Sequence, residues 1–237
     1  MISSEMTVRE VTTQVPESTR IFEKLKIDYC CGAGRPLIEA CDSAGVEVDQ
    51  LIEMLTDLSQ AGESGVVDFQ NLSLAALVTH IVETHHIFTR SEMARLEALS
   101  AKVVNAHSAN HPELLKVQNL IQRLCADLKP HMFKEEQVLF PYIVAMEQAE
   151  GNGKQFPFAP FGTVRNPVRM MTKEHDSAGE ILSELRLVTA DYQAPPDGCM
   201  SYETLYRALE GFEKDLHQHI HLENNILFPK AVELESR

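Results

Sequence analysis

Apolar residues recur at helical spacing through four long stretches of the chain, near residues 71–106, 112–149, 166–192 and 200–234. In the second stretch Ile121, Leu124, Leu128 and Val138 share one stripe, and in the fourth Leu205, Leu209, Phe212, Leu216 and Ile226 do. Breaks bearing Pro or Gly separate them, at Asn110–Pro112, Gly151–Gly162 and Ala194–Gly198. Four long amphipathic segments joined in this way predict an up-down four-helix bundle. The longest break is rich in Phe and Pro and is expected to fold over one end of it. Ahead of the bundle, Thr7–Glu10, Pro16–Phe22, Pro36–Ala40 and Asp49–Leu55 carry short helix signals, two of them supported by an early proline. Ala61–Gly65 then interrupts the periodicity as a linker would. The expected class is all-α, with a small helical domain over residues 1–65 and the bundle over 66–237.

Inside the bundle stripes lies a repeat. His131, Glu135, Phe140 and Pro141 follow the pattern H-x3-E-x4-F-P, and so do His219, Glu223, Phe228 and Pro229. Residues four apart on a helix differ by about 40° in azimuth, so each His and Glu project from one face. That face is otherwise apolar. An isolated carboxylate there costs several kcal/mol unless it is paired or coordinates a cation, and a metal would serve both Glu and both His at once. The Phe-Pro pair after each motif is expected to pack and to end its helix.

The two copies begin 88 residues apart (219 − 131), which suggests two helical hairpins related by a rough internal twofold. The first helix of each hairpin should then hold a counterpart ligand. In the third stretch this is His175, with Met171, Leu182 and Leu185 at −4, +7 and +10. The same offsets give Val82, Met93 and Leu96 around His86, but Ile81, Glu92 and Arg95 around His85. His86 fits better, while the upstream apolar residues alone favour His85, which stays as the alternate. Six ligands, His86, His131, Glu135, His175, His219 and Glu223, exceed the needs of one tetrahedral zinc. Two ions sharing the two carboxylates and taking two His each would use all six. Imidazole with carboxylate suits iron, manganese or zinc, and nitrogen-rich ligation in a four-helix bundle points to non-haem iron.

Charge narrows the partners. With 21 Lys+Arg against 35 Asp+Glu the formal net charge is −14, which opposes binding to nucleic acid or to anionic membranes. No apolar run approaches a membrane span, and the polar opening residues do not read as a signal peptide, so a cytoplasmic location is expected. Five cysteines, an odd number, are expected to be reduced. The adjacent Cys30 and Cys31 sit in a Gly-rich loop ahead of a helix start at Pro36, a setting that lowers thiol pKa and marks them as candidate reactive groups. Cys41, Cys125 and Cys199 lack any spacing signal and are expected to be unreactive. His217 and His221 face away from the ligand stripe and are expected to be exposed, while His107 and His111 should cap or solvate a helix end. Glu83 with His86 forms an E-x-x-H pair, but the ferritin-like fold needs a second one and none occurs, so it reads as chance. No flavin, nucleotide or serine-hydrolase fingerprint appears, so electrons would come from an external donor.

The stretches Asp28–Cys41, His131–Pro141, Glu174–Glu180 and His219–Pro229 together resemble the family of repair-of-iron-centres proteins also called ScdA or YtfE, nearly from end to end. The resemblance implies a hemerythrin-like bundle from about residue 70 onward. Its ligand pattern falls on His86, His131, Glu135, His175, His219 and Glu223, holding two non-haem irons bridged by the carboxylates and by oxo or other small ligands. It further implies repair of iron–sulfur clusters damaged by nitrosative or oxidative stress, with damaged iron–sulfur proteins as partners. Cys30, Cys31 and Glu174 are the candidates for chemistry beyond metal holding. Oxygen-carrying hemerythrins place a second His in the third helix, where this chain has Gly179, so reversible oxygen carriage is not expected. An oxygen or nitric oxide sensor or carrier, and a di-iron nitric oxide reductase or peroxidase, are the alternatives. A homodimer is left open.

Overall fold

The structure, a computed structural model, describes residues 2–61 and 68–237, with the side chains of 59–61 left out. Eight helices make up the described chain, and no strand occurs among the described residues beyond one isolated bridge between Thr7 and Pro36. None of these helices is long and apolar enough to cross a membrane.

The first four helices are short: α1 (Val8–Gln14), α2 (Ser18–Leu25), α3 (Leu37–Ala44) and α4 (Val48–Ala61). Thr7 and Glu10 close a capping box on α1, which satisfies donors the helix itself cannot. Gly45 ends α3 at φ 68°, a left-handed stop that glycine adopts without strain. Val8, Val11, Phe22, Leu37, Leu51 and Leu55 are all fully buried and form the core of this segment. The linker expected after Ala61 lies outside the described residues.

The bundle comprises α5 (74–107), α6 (113–151), α7 (Arg165–Val188) and α8 (200–235), with α5 against α6 and α8, and α6 against α7. Two limits differ from the sequence expectation by several residues, each for a local reason. Asp68 caps a 3₁₀ turn at Phe69–Asn71 and Ser73 caps the first turn of α5, which therefore begins at Leu74. At the other end of the hairpin α7 stops at Val188 rather than 192, because Ala190, Asp191 and Tyr192 all adopt positive φ. That conformation is strained for non-glycine residues. Arg186 gripping Asp191, and the Tyr192 N–H donating to Thr189 Oγ1, hold it in place.

The Phe-Pro pairs do not end their helices. Both α6 and α8 continue through a π turn, at Glu135–Leu139 and Glu223–Leu227, and Pro141 and Pro229 sit just beyond. Proline has no N–H to give to the preceding turn, and a widened turn accommodates that loss without breaking the helix. A third π turn, Ile81–His86, interrupts α5.

Apolar side chains in the bundle form two clusters rather than one. Met93, Leu128, Leu182 and Leu216 belong to the first, Ile81, Leu139, Met171 and Ile226 to the second. Phe156 from the Gly151–Gly162 segment packs on the second cluster, and Phe161 meets Tyr142 edge-on at 4.9 Å, so this break does cover that end.

His217 and His221 are not a solvated pair. The N-terminal segment covers their face of α8: Glu23 pairs with His217 at 3.2 Å, and the Tyr29 carbonyl accepts from Asn225 Nδ2 at 3.0 Å beside a buried His221. Burial pushes the His221 imidazole down to about 4. Azimuth on one helix says which face avoids the core, but not whether another part of the chain will cover that face.

Candidate metal centre

Between the two apolar clusters lies a layer of six polar side chains, His86, His131, Glu135, His175, His219 and Glu223, each at most 3% exposed. Each π turn in the bundle begins or ends on one of them, His86 closing its turn and Glu135 and Glu223 opening theirs. The extra residue in the α5 turn also explains the ambiguity between His85 and His86. It lies just upstream of His86 and rotates the apolar stripe above it out of phase with the stripe below. Downstream offsets therefore identify the inward residue, and His86 joins the cluster.

The ring nitrogens converge in pairs. His86 Nε2 lies 3.1 Å from His219 Nε2, and His131 Nε2 lies 3.0 Å from His175 Nε2. Each carboxylate spans both pairs: Glu135 turns Oε1 toward His131 (3.2 Å) and Oε2 toward His86 (3.5 Å). Glu223 likewise turns Oε1 toward His219 and Oε2 toward His175, both at 3.1 Å. Two four-residue groups result, His86, His219, Glu135 and Glu223 in one, His131, His175, Glu135 and Glu223 in the other. Within each, the ligand atoms all lie within 4.8 Å of one another.

These atoms suit a cation better than they suit each other. Both Glu135 oxygens and Glu223 Oε2 are buried and lack an aligned hydrogen-bond donor despite the short distances to imidazole. Orphaned acceptors of this kind are costly in a dry layer. Three of the four outer nitrogens are engaged: Glu136 on His86 Nδ1 (2.6 Å), Glu174 on His131 Nδ1 (2.8 Å) and Asn224 on His175 Nδ1 (2.9 Å). An acceptor on Nδ1 puts the proton there and leaves the Nε2 lone pair facing inward, as metal-binding histidines require. Burial pulls the His131 imidazole down, but Glu135, Glu223 and Glu174 carry it up to about 9. Burial and the Glu223 charge push the Glu135 carboxyl up, and His131 with His86 more than reverse this. The layer thus balances as two carboxylates among imidazoles, and the residues fit a metal.

The motif phenylalanines pack on the histidines. Phe140 stacks on His86 and Phe228 on His175, at 5.8 and 6.1 Å between ring centroids. Glu136 and Asn224, missed in the sequence, each follow the buried Glu of a motif, and that shared position was the available signal. Glu174 also pairs with Lys134, and a cavity of about 420 Å³ lined by Leu128, His131, Lys134, Glu174 and His175 opens on this side. Glu83 is exposed and takes no part.

Cys30 and Cys31 lie against the bundle. Their sulfurs are 3.8 Å apart, and Cys31 Sγ is 3.9 Å from where a Cβ on Gly179 would stand. Asp28 organises the loop, accepting from the backbone N–H of Cys30, Cys31 and Gly32 at 2.8–3.0 Å. A Cβ at position 32 would come within 2.8 Å of Asp28 Oδ2, so a larger residue there would displace the carboxylate that holds the loop. The expected lowering of thiol pKa does not hold for Cys30: contact with the Cys31 thiol, burial and the Asp28 charge push it well up. The helix start at Leu37 is too far along the chain to offset a carboxylate in direct contact. Both thiols line a cavity of about 570 Å³ between the N-terminal segment and α7, with Asp28, Gly179 and Arg186.

The expectation for Cys199 is also revised. This exposed residue precedes α8, and His107 Nε2 stands 3.1 Å from its sulfur. The His107 imidazole draws the thiol down to about 7, whereas burial pushes Cys125 up to about 11. Cys199 should therefore be the first thiol alkylated by iodoacetamide at pH 7, with a rate that rises through a midpoint near 7 and shifts upward in His107→Ala. Peptide mapping showing Cys125 labelled as fast would contradict this. His111 pairs with Glu113 and Asp197 and, like His107, meets Tyr202 edge-on.

Fold and site define a hemerythrin-like protein with a His/Glu cluster of the kind that binds non-haem iron. Comparison with known proteins agrees. The hemerythrin HHE cation binding domain matches residues 77–231, and the ScdA N-terminal domain, a domain of unknown function, matches residues 4–59. A probable iron-sulfur cluster repair protein of Haemophilus influenzae is 32% identical over 98% of this chain and 99% of its own length. The iron-sulfur cluster repair protein ScdA of Staphylococcus haemolyticus is 29% identical, covering 97% and 99%. The iron-sulfur cluster repair protein YtfE of Dickeya chrysanthemi is 30% identical over 96% and 97%. The chain belongs to the hemerythrin HHE family and, within it, to the ScdA and YtfE repair-of-iron-centres proteins.

Proposed function

We propose that this protein repairs iron–sulfur clusters damaged by nitrosative or oxidative stress, using two irons held in the polar layer of its bundle. The observation that carries the two-iron reading is the split of each carboxylate between two histidine pairs, Glu135 and Glu223 each presenting one oxygen to either group. His86 and His219 would hold one ion, His131 and His175 the other, and the two carboxylates would bridge them. Iron bound there supplies a redox change and an exchangeable metal, with coordination positions left open for small ligands. Glu136, Glu174 and Asn224 fix the imidazoles by accepting from their Nδ1–H groups, and the flanking apolar clusters keep bulk water out. Gly179 faces the Cys31 thiol where an oxygen carrier would need a fifth imidazole, which favours repair over oxygen transport. Cys30 and Cys31 are assigned to docking or transfer with a damaged iron–sulfur protein, with reducing equivalents from an external donor and the cytoplasm as the place of work.

Metal analysis with an optical spectrum of the purified protein tests the first half: two irons per chain are expected, and one metal, or zinc that iron cannot displace, overturns it. Reconstitution with a nitric-oxide-damaged cluster protein tests the second half. Wild-type protein should restore the cluster, and Cys30→Ser with Cys31→Ser should keep full iron content while losing most of the repair rate. A variant that loses its iron would make the thiols part of metal holding. One that repairs at the normal rate would leave them as packing.

A further inference from the structure

The internal repeat maps His131 onto His219 and His86 onto His175. Glu174 precedes His175, so its counterpart is the residue preceding His86, which is His85. Glu174 accepts from His131 Nδ1. The counterpart of His131, His219, has its Nδ1 buried without a partner, alone among the four histidines of the layer. His85 stands next to it, its ring within 7° of parallel to His219 at 5.6 Å between centroids. It is 4% exposed, and its Nε2 is also buried and unpartnered. On its far side His85 Nδ1 lies 3.0 Å from Asp215 Oδ1.

These atoms complement one another. An ionised carboxylate only accepts, so Asp215 keeps the His85 proton on Nδ1 and leaves Nε2 as an acceptor. His219, presenting Nε2 to the layer, carries its own proton on Nδ1 and needs an acceptor.

We propose that His85 Nε2 is the hydrogen-bond acceptor for His219 Nδ1–H, across one water or after a small rotation of the His85 ring, with Asp215 holding His85 in the accepting tautomer. His85 and Asp215 are thus positioning residues that do for His219 what Glu174 alone does for His131. The arrangement needs one residue more than its repeat counterpart because a carboxylate accepts by itself, whereas a neutral histidine accepts at Nε2 only while its proton is held on Nδ1, which Asp215 does here.

The inference rests on the two-iron reading, and its readout is iron release from the loaded protein to a strong chelator. His85→Phe keeps an aromatic ring without an acceptor, and His85→Gln keeps an acceptor without the ring. The Phe variant should release one of its two irons about 10- to 100-fold faster than wild type, the usual cost of losing a partner behind a metal-bound histidine. The other iron should leave at the wild-type rate, and the Gln variant should recover most of the loss. A general loosening of packing would speed both irons and would not distinguish Phe from Gln, and that result overturns the assignment, as does an unchanged Phe variant. Should His85→Phe fail to fold, Asp215→Ala serves on a less buried side chain: faster release of one iron supports the relay, and an unchanged rate sinks it. Wild-type protein carrying a single iron would instead remove the two-iron reading itself.

Discussion

Glu135→Ala and Glu223→Ala should each strip most of the iron from the protein, whereas His217→Ala should leave iron content unchanged. Each carboxylate offers one oxygen to either histidine pair, so removing one takes a ligand from both positions at once. Losing a histidine takes a ligand from only one. Removing Glu135 also leaves Glu223 as the sole anion among four buried imidazoles, which weakens the site's attraction for any cation. His217 faces Glu23 of the N-terminal segment, outside the polar layer. Iron per chain after equal loading, with circular dichroism to confirm folding, is the measurement. A Glu variant that keeps two irons, or a His217 variant that loses them, would contradict the bridging geometry.

The six residues of the layer could be read from the sequence because the chain repeats its motif, and because a polar pair inside an apolar helical stripe needs an explanation that two copies make specific. Choosing His86 over His85 depended on using the residues after it. The π turn before it adds a residue, and nothing in a regular helical projection reveals that addition. The π turns in α6 and α8 just precede Pro141 and Pro229, but proline alone does not predict them, since Pro130 sits inside a regular stretch of α6 and the π turn of α5 has no proline beside it. What was not legible depends on parts of the chain far apart in sequence. Cys199 meets His107 across 92 residues, and His221 is buried by Tyr29 across 192. No local pattern encodes such docking. The raised thiol of Cys30 belongs to the same class of effect, set by the fold of a loop around Asp28 rather than by proximity to a helix start.

Iron loading should raise the melting temperature by on the order of 10 °C. A ligand that binds only the folded state at a thousandfold excess over its dissociation constant contributes about 4 kcal/mol, and a chain of this length gains roughly 2–4 °C per kcal/mol. The polar layer makes so large a shift reasonable. It places two carboxylates and four imidazoles between two apolar clusters, and three of the carboxylate oxygens lack an aligned donor. Those groups are poorly compensated until a cation satisfies them. Glu135→Gln with Glu223→Gln provides the control. The amides fill the same space without charge, so the metal-free variant should melt close to the metal-free parent while its response to iron disappears. If that double variant is still stabilised by iron as strongly as the parent, the stabilising metal binds somewhere other than this layer. If the parent shows no shift at all, the layer is stable without metal, and its buried carboxylates must be satisfied by protonated histidines alone.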